Sequence, residues 1–174
     1  MKTVIYVIED NQDDMKKITE KLNEYACKYK RDECEFEFIP LEGTLRQPYM
    51  DKNWKFYEPE IFDRIRGKLS EESEKGNMMG LLLDVLLTKE DIEYSLSKYY
   101  PRASIAREIY SEFHEKMPVY MITNISMFGT QSDIIMGVNL SDSYIPKEAL
   151  WYPFDDDVKA MFEKYLSWTK CQTD

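Results

Sequence analysis

The stretch Met78–Asp91, MMGLLLDVLLTKED, contains the seven-residue core LLLDVLL (Leu81–Leu87), in which Asp84 is the one polar residue. A short, nearly continuous apolar run of this kind reads as a strand covered on both faces. A charged group inside it is costly to bury unless something compensates it. The reading of the whole chain therefore turns on what else reaches Asp84.

Three other segments have the same character: TVIYVI (Thr3–Ile8), PVYMITN (Pro118–Asn124) and DSYIPK (Asp142–Lys147). With Gly80–Leu87 they make four short buried strands, rich in β-branched and aromatic residues. A fifth, ECEFEFIP (Glu33–Pro40), alternates more strictly and suits a half-exposed edge strand. Helical patterns separate them. DDMKKITEKLNEYACKY sets Met15, Ile18, Leu22, Tyr25 and Ala26 at helical spacing, with Asp13 and Asp14 placed to cap its start and complement its dipole. PEIFDRIRGKLSEES has Pro59 in a first-turn position. ASIAREIYSEFHEKM puts Ile105, Ile109, Phe113 and Met117 on one face, and FDDDVKAMFEKYLSW does the same with Val158, Met161, Phe162 and Tyr165. GTQSDIIMG (129–137) has room only for a short helix.

Strands alternating with helices imply an α/β fold: a doubly wound, five-stranded parallel sheet between two helical layers. The chain of 174 residues suits one domain spanning 1–174, and the long connections near 41–58 and 88–100 read as insertions decorating it. A net charge of -10 argues against a broad basic surface for nucleic acid and against docking on anionic membrane. The opening MKTVIYVIED has too short an apolar run for a signal peptide, and no segment approaches the length of a membrane span. Cys27, Cys34 and Cys171 form no CxxC or Cys/His cluster and read as reduced thiols. A soluble, cytoplasmic protein is expected.

In an open α/β sheet, ligands bind beyond the carboxyl ends of the strands. This chain carries a polar group at that end of all four buried strands: Glu9 and Asp10, Asp84, Thr123 and Lys147. Three carboxylates brought together resist ionising without a cation, and magnesium, an oxygen-seeking ion, relieves that conflict. Asp84 can then attack a phosphoryl group and carry it as an aspartyl phosphate. Lys147 and the Thr123 hydroxyl are suited to hold the phosphoryl oxygens.

VIYVIEDN, LLLDVLL, VYMITN and YIPK, in this order, resemble the receiver domain of two-component response regulators, from the first strand to the last helix. The resemblance implies a flavodoxin-like fold in which Glu9, Asp10, Asp84 and the backbone carbonyl of Leu86 bind Mg2+. It implies that Asp84 accepts phosphate from a histidine kinase or phosphotransfer protein, and that Thr123 and Tyr144 form the switch that reports it. The resemblance covers most of the chain, with the two insertions outside it, and output is expected to pass through a downstream protein partner or a homodimer rather than by direct DNA binding. Only self-phosphorylation and dephosphorylation chemistry is expected, not an enzyme acting on a separate substrate. Leu86 and Ile125 offer no group to orient an attacking water, which implies slow dephosphorylation.

Two features depart from the family pattern: Pro146 precedes Lys147 with Glu148 following, and Asn124 stands where a small residue is usual. With the two insertions, they motivate an alternative, a receiver-like interaction module that no longer uses phosphate. A third reading, an aspartate-dependent phosphohydrolase or a Toprim-type enzyme, wants a second acid two residues beyond the nucleophile, where this chain has Leu86. His114, a lone histidine among charged residues, reads as a surface residue. The aromatic run ALWYPF (Ala149–Phe154) reads as core packing.

Overall fold

The computed structural model describes residues 2–9, 11–29, 34–41, 58–85, 87, 104–123, 144–151 and 156–171. Their strands are β1 (Lys2–Ile8), β2 (Glu35–Pro40), β3 (Met78–Asp84), β4 (Val119–Thr123) and the three-residue β5 (Tyr144–Pro146). The helices are α1 (Gln12–Lys28), α2 (Glu58–Glu74), α3 (Ser104–Phe113) and α4 (Asp156–Cys171), with a 3-10 turn at Lys147–Trp151. The strands form one sheet in the order β2-β1-β3-β4-β5, and every pairing is parallel. Parallel neighbours need a crossover, and α1 and α2 supply the first two.

Side chains alternate across the pleat, so each strand feeds two cores. Val4, Tyr6, Ile8, Leu81, Leu83 and Met121 face one side, where Ile61 and Ile65 of α2 and Ile105, Ile109 and Phe113 of α3 close over them. Ile5, Val7, Phe36, Phe38, Leu82, Tyr120 and Ile122 face the other, against Ile18 and Leu22 of α1 and Val158, Met161, Phe162 and Tyr165 of α4. The layers are helix, sheet, helix, as the alternation of elements predicts. Burying each large aliphatic or aromatic side chain contributes about 1.5–3 kcal/mol, so these two cores carry the fold.

Three local devices fix the layers. Gly80 lies in β3 directly under Tyr165, where a Cβ would come within 2.7 Å of Tyr165 Cε1. Only a glycine lets the ring settle there, and the Tyr165 hydroxyl then donates to Leu81 O at 2.8 Å. On the outer edge, the Asn23 amide of α1 accepts from Phe38 N at 2.9 Å and donates to Phe38 O at 2.8 Å. It thereby satisfies backbone groups of an edge strand. The two prolines of the sheet, Pro40 and Pro146, end the two edge strands, where a missing N–H breaks no ladder.

Some boundaries differ from the sequence expectation. β3 begins two residues earlier, at Met78, and ends at Asp84, so the aspartate terminates the strand instead of interrupting it. The cap of α1 is Asn11, in an extended conformation (φ -96, ψ 114), and its side chain accepts from Asp13 N and Asp14 N. Asp13 and Asp14 do not cap; they occupy the first turn, where they complement the helix dipole as expected. The GTQSDIIMG segment, the expected insertion near 88–100 and residues 42–57 of the one near 41–58 lie outside the described residues. No helix among those described is long and apolar enough to cross a membrane.

Candidate functional site

The order of the strands reverses beside β1: the chain moves to β2 on one side, then returns to β3 on the other. The crevice at such a switch point opens between the carboxyl ends of β1 and β3. Glu9 follows β1 and Asp84 ends β3, so both acids stand at this crevice. Both are buried, at 3% and 5% exposure. Lys147 opens the turn after β5 and is 6% exposed. Its ammonium reaches Glu9 Oε2 at 2.6 Å, Asp84 Oδ2 at 3.4 Å and Asp14 Oδ2 at 4.0 Å. Pro146 before it and Glu148 after it do not keep the lysine from the acids.

Backbone amides complete the frame. Asp84 Oδ1 accepts from Val85 N at 2.7 Å, and Glu9 Oε1 accepts from Asn11 N at 3.2 Å. Glu9 Oε2 is held by the Lys147 ammonium in the ion pair at 2.6 Å. Two buried carboxylates thus share one ammonium. Burial, and then the charge of Glu9, push the Asp84 carboxyl up to about 7, against the opposing pull of Lys147 and Val85 N. Burial works against the Lys147 ammonium too, but Asp84, Glu9 and Asp14 outweigh it and raise its pKa.

The other buried carboxylate on the opposite helical side, Glu72, shows what a saturated acid looks like. Burial works against its charge, yet Asn77 (2.8 Å), Lys75 (3.0 Å) and Tyr6 (3.1 Å) outweigh that and lower its pKa. Glu72 lines a groove of about 910 Å³ between β1, β2 and α2. The charged groups there pair among themselves, Lys2 with Glu37 at 2.7 Å and Lys68 with Glu71 at 2.6 Å. The contrast singles out Asp84 as the acid whose surroundings leave its charge incompletely offset.

Of the residues expected at the site, Glu9, Asp84 and Lys147 are brought together. Asp10 and Leu86 lie outside the described residues, as do Asn124 and Ile125. For Thr123 and Tyr144 only the backbone is described: they end β4 and begin β5, and Met121 pairs with Tyr144. Among the described residues no three His, Cys, Asp or Glu side chains gather as a metal-binding group. Sequence reasoning missed the roles of Asn11 and Asp14 at the site, having read the start of α1 only as capping and dipole complementation. His114 is half-buried, not a free surface residue: its ring stacks on Tyr110 at 4.7 Å and Nδ1 lies 2.9 Å from Tyr110 O. Ala149 and Leu150 are core residues; the side chains of 151–154, which include the aromatic members of that run, lie outside what is described. Cys27 and Cys34 are free thiols.

No protein-family model, no curated protein and no solved structure matches this chain.

Proposed function

We propose that this protein is a receiver-type phosphoacceptor, with Asp84 taking a phosphoryl group from a phosphohistidine of a histidine kinase or phosphotransfer protein in the cytoplasm. The observation that carries the reading is the convergence of Glu9, Asp84 and Lys147 from three strand ends on the switch-point crevice. The strand order 2-1-3-4-5 with helices on both faces supports the finer assignment to a doubly wound, flavodoxin-like fold.

The chemistry follows from the side chains. An Asp84 oxygen attacks phosphorus while the bond to the donor nitrogen breaks, leaving histidine with the electron pair. Lys147, already 3.4 Å from Asp84, meets the charge that develops on the phosphoryl oxygens. The Thr123 hydroxyl, by its place at the end of β4, is the donor assigned to another of those oxygens. Mg2+ fits the donor set in charge: two converging carboxylates exceed the single ammonium. Glu9 and Asp84, with Asp10, would hold it. When bound it neutralises phosphoryl charge. Phosphorylation then signals through Thr123 and Tyr144 to a protein partner or to a second copy of the chain, as a population shift.

Incubation with acetyl phosphate and Mg2+, followed by intact mass, tests the reading. Wild type gains one phosphoryl group and Asp84→Asn gains none; a wild type that never gains it overturns the reading. The alternative, a receiver-like module without phosphate chemistry, draws on the 2.6 Å contact by which Lys147 supplies Glu9 with an internal cation. Magnesium titration of tryptophan fluorescence separates the two. Saturable binding that is lost in Glu9→Gln supports the phosphoacceptor, and no binding in wild type supports the module.

A further inference from the structure

The geometry points to Asp14 as a specificity-determining residue that screens the site against highly charged small phosphodonors; this rests on the phosphoacceptor reading of Asp84. Three carboxylates meet around Lys147 Nζ, and the exposures of the four side chains differ sharply. The Glu9 side chain is 1% exposed and those of Asp84 and Lys147 are each 7% exposed, whereas that of Asp14 is 33% exposed. Asp14 is therefore the solvent-facing charge of the cluster among the described residues. Its place is fixed, not incidental. Asn11 accepts from the Asp14 backbone N–H at 3.2 Å, and the Asn11 N–H is itself tied to Glu9. The first turn of α1 is thus fastened to the residue that follows β1.

Asp14 Oδ2 and Asp84 Oδ2 both lie within 4.0 Å of the same nitrogen, so a donor reaching Asp84 comes within one screening length of the Asp14 charge. Lys147 divides its single charge among Glu9, Asp84 and Asp14, with Asp14 the most distant of the three, so it offsets the Asp14 charge only in part. A fixed negative charge at the solvent side raises the barrier more for a dianionic donor than for a monoanionic one. A protein donor can offset this penalty with contacts elsewhere on its surface; a free acyl phosphate cannot.

Acetyl phosphate, a dianion near neutral pH, and phosphoramidate, a monoanion, supply the test. In each case an Asp84 oxygen bonds to phosphorus. The P–O bond breaks as acetate leaves with the electron pair, or the P–N bond breaks as ammonia leaves. Phosphorylation rates with both donors are measured at fixed Mg2+ for wild type, Asp14→Asn, Asp14→Glu and Asp13→Asn. Asp13 is exposed in the same helical turn, so its variant controls for the loss of helix-end charge. Asp14→Asn is expected to raise the acetyl phosphate to phosphoramidate rate ratio by about three- to tenfold. Asp14→Glu and Asp13→Asn are expected to leave it near wild type. Should Asp14→Asn fold poorly, Asp14→Ser takes its place, with the same rise in the ratio expected. An unchanged ratio in Asp14→Asn, or an equal rise in Asp13→Asn, overturns the assignment while leaving Asp84 as acceptor. A wild type that takes phosphate from neither donor removes the phosphoacceptor reading and this inference with it.

Discussion

Lys147 Nζ stands 2.6 Å from Glu9 Oε2, joining the residue after β5 to the residue after β1 across the ends of the two strands between them. Glu9 is nearly sealed from water, so the ion pair is buried and its loss is asymmetric. Removing the lysine strands two carboxylates with no cation. Lys147→Met is therefore expected to lower unfolding free energy by about 3–5 kcal/mol in metal-free buffer, checked by urea denaturation.

Asp84→Asn does the reverse. It leaves Glu9 and Lys147 as a balanced pair and removes the surplus charge. The folded pKa of Asp84, near 7, exceeds the ordinary 3.8, so the folded state holds this proton more tightly than the unfolded state. Stability from Asp84 is then fully present below the unfolded pKa and lost as pH rises through the folded one. Without metal, Asp84→Asn should be more stable than wild type at pH 8, by a few kcal/mol at most, since each tenfold difference in proton affinity is worth about 1.4 kcal/mol. The gap should close towards pH 4. Thermal melts of both proteins across that range check the prediction; a gap that widens on acidification contradicts it.

Gly80→Ala would put a Cβ 2.7 Å from the fully buried Tyr165 ring. The ring has nowhere to retreat, because its hydroxyl is fixed to Leu81 O and Tyr120 packs against it at 5.6 Å. Overpacking of this kind costs about 1–3 kcal/mol. The expected outcome in denaturant is a lower midpoint with unchanged slope.

Asn23→Ala withdraws both hydrogen bonds to Phe38 and leaves an edge N–H and carbonyl to water or to another chain. A loss of about 1–2 kcal/mol is expected, with faster amide exchange at Phe38. Unaltered exchange there would show that α1 does not guard this edge.

Much of this architecture is legible in the chain. Apolar runs mark β1, β3 and β4, and helical spacing marks Ile18 and Leu22, Ile105 and Ile109, and Val158 and Phe162 as core faces. The acids and the lysine are legible because each stands at the boundary where a strand stops. What was hidden depends on contacts across the fold. Asn23 pairs with Phe38 fifteen residues away, and nothing in its local pattern distinguishes it from any other polar helix residue. Gly80 reads as a weak point in a strand until the ring of Tyr165 is laid over it. Asp14 looks like a helix-end charge because its nearness to Lys147 depends on how β5 and α1 pack. Glu72 looks like one more exposed helix acid, whereas Tyr6 and Asn77 draw it inward.

The central claim is that the Asp84 carboxyl itself carries the phosphoryl group. An acyl phosphate is reduced by borohydride to an alcohol, converting aspartate to homoserine at the modified position. Treating the phosphorylated protein in this way and sequencing its peptides by mass spectrometry should find homoserine at position 84, dependent on prior exposure to the phosphodonor. The neighbouring acids are told apart in the same spectra, since Glu9 would give a longer alcohol and Asp14 lies in a different peptide. Reduction mapped to Asp14, or to no carboxylate at all, would contradict the account.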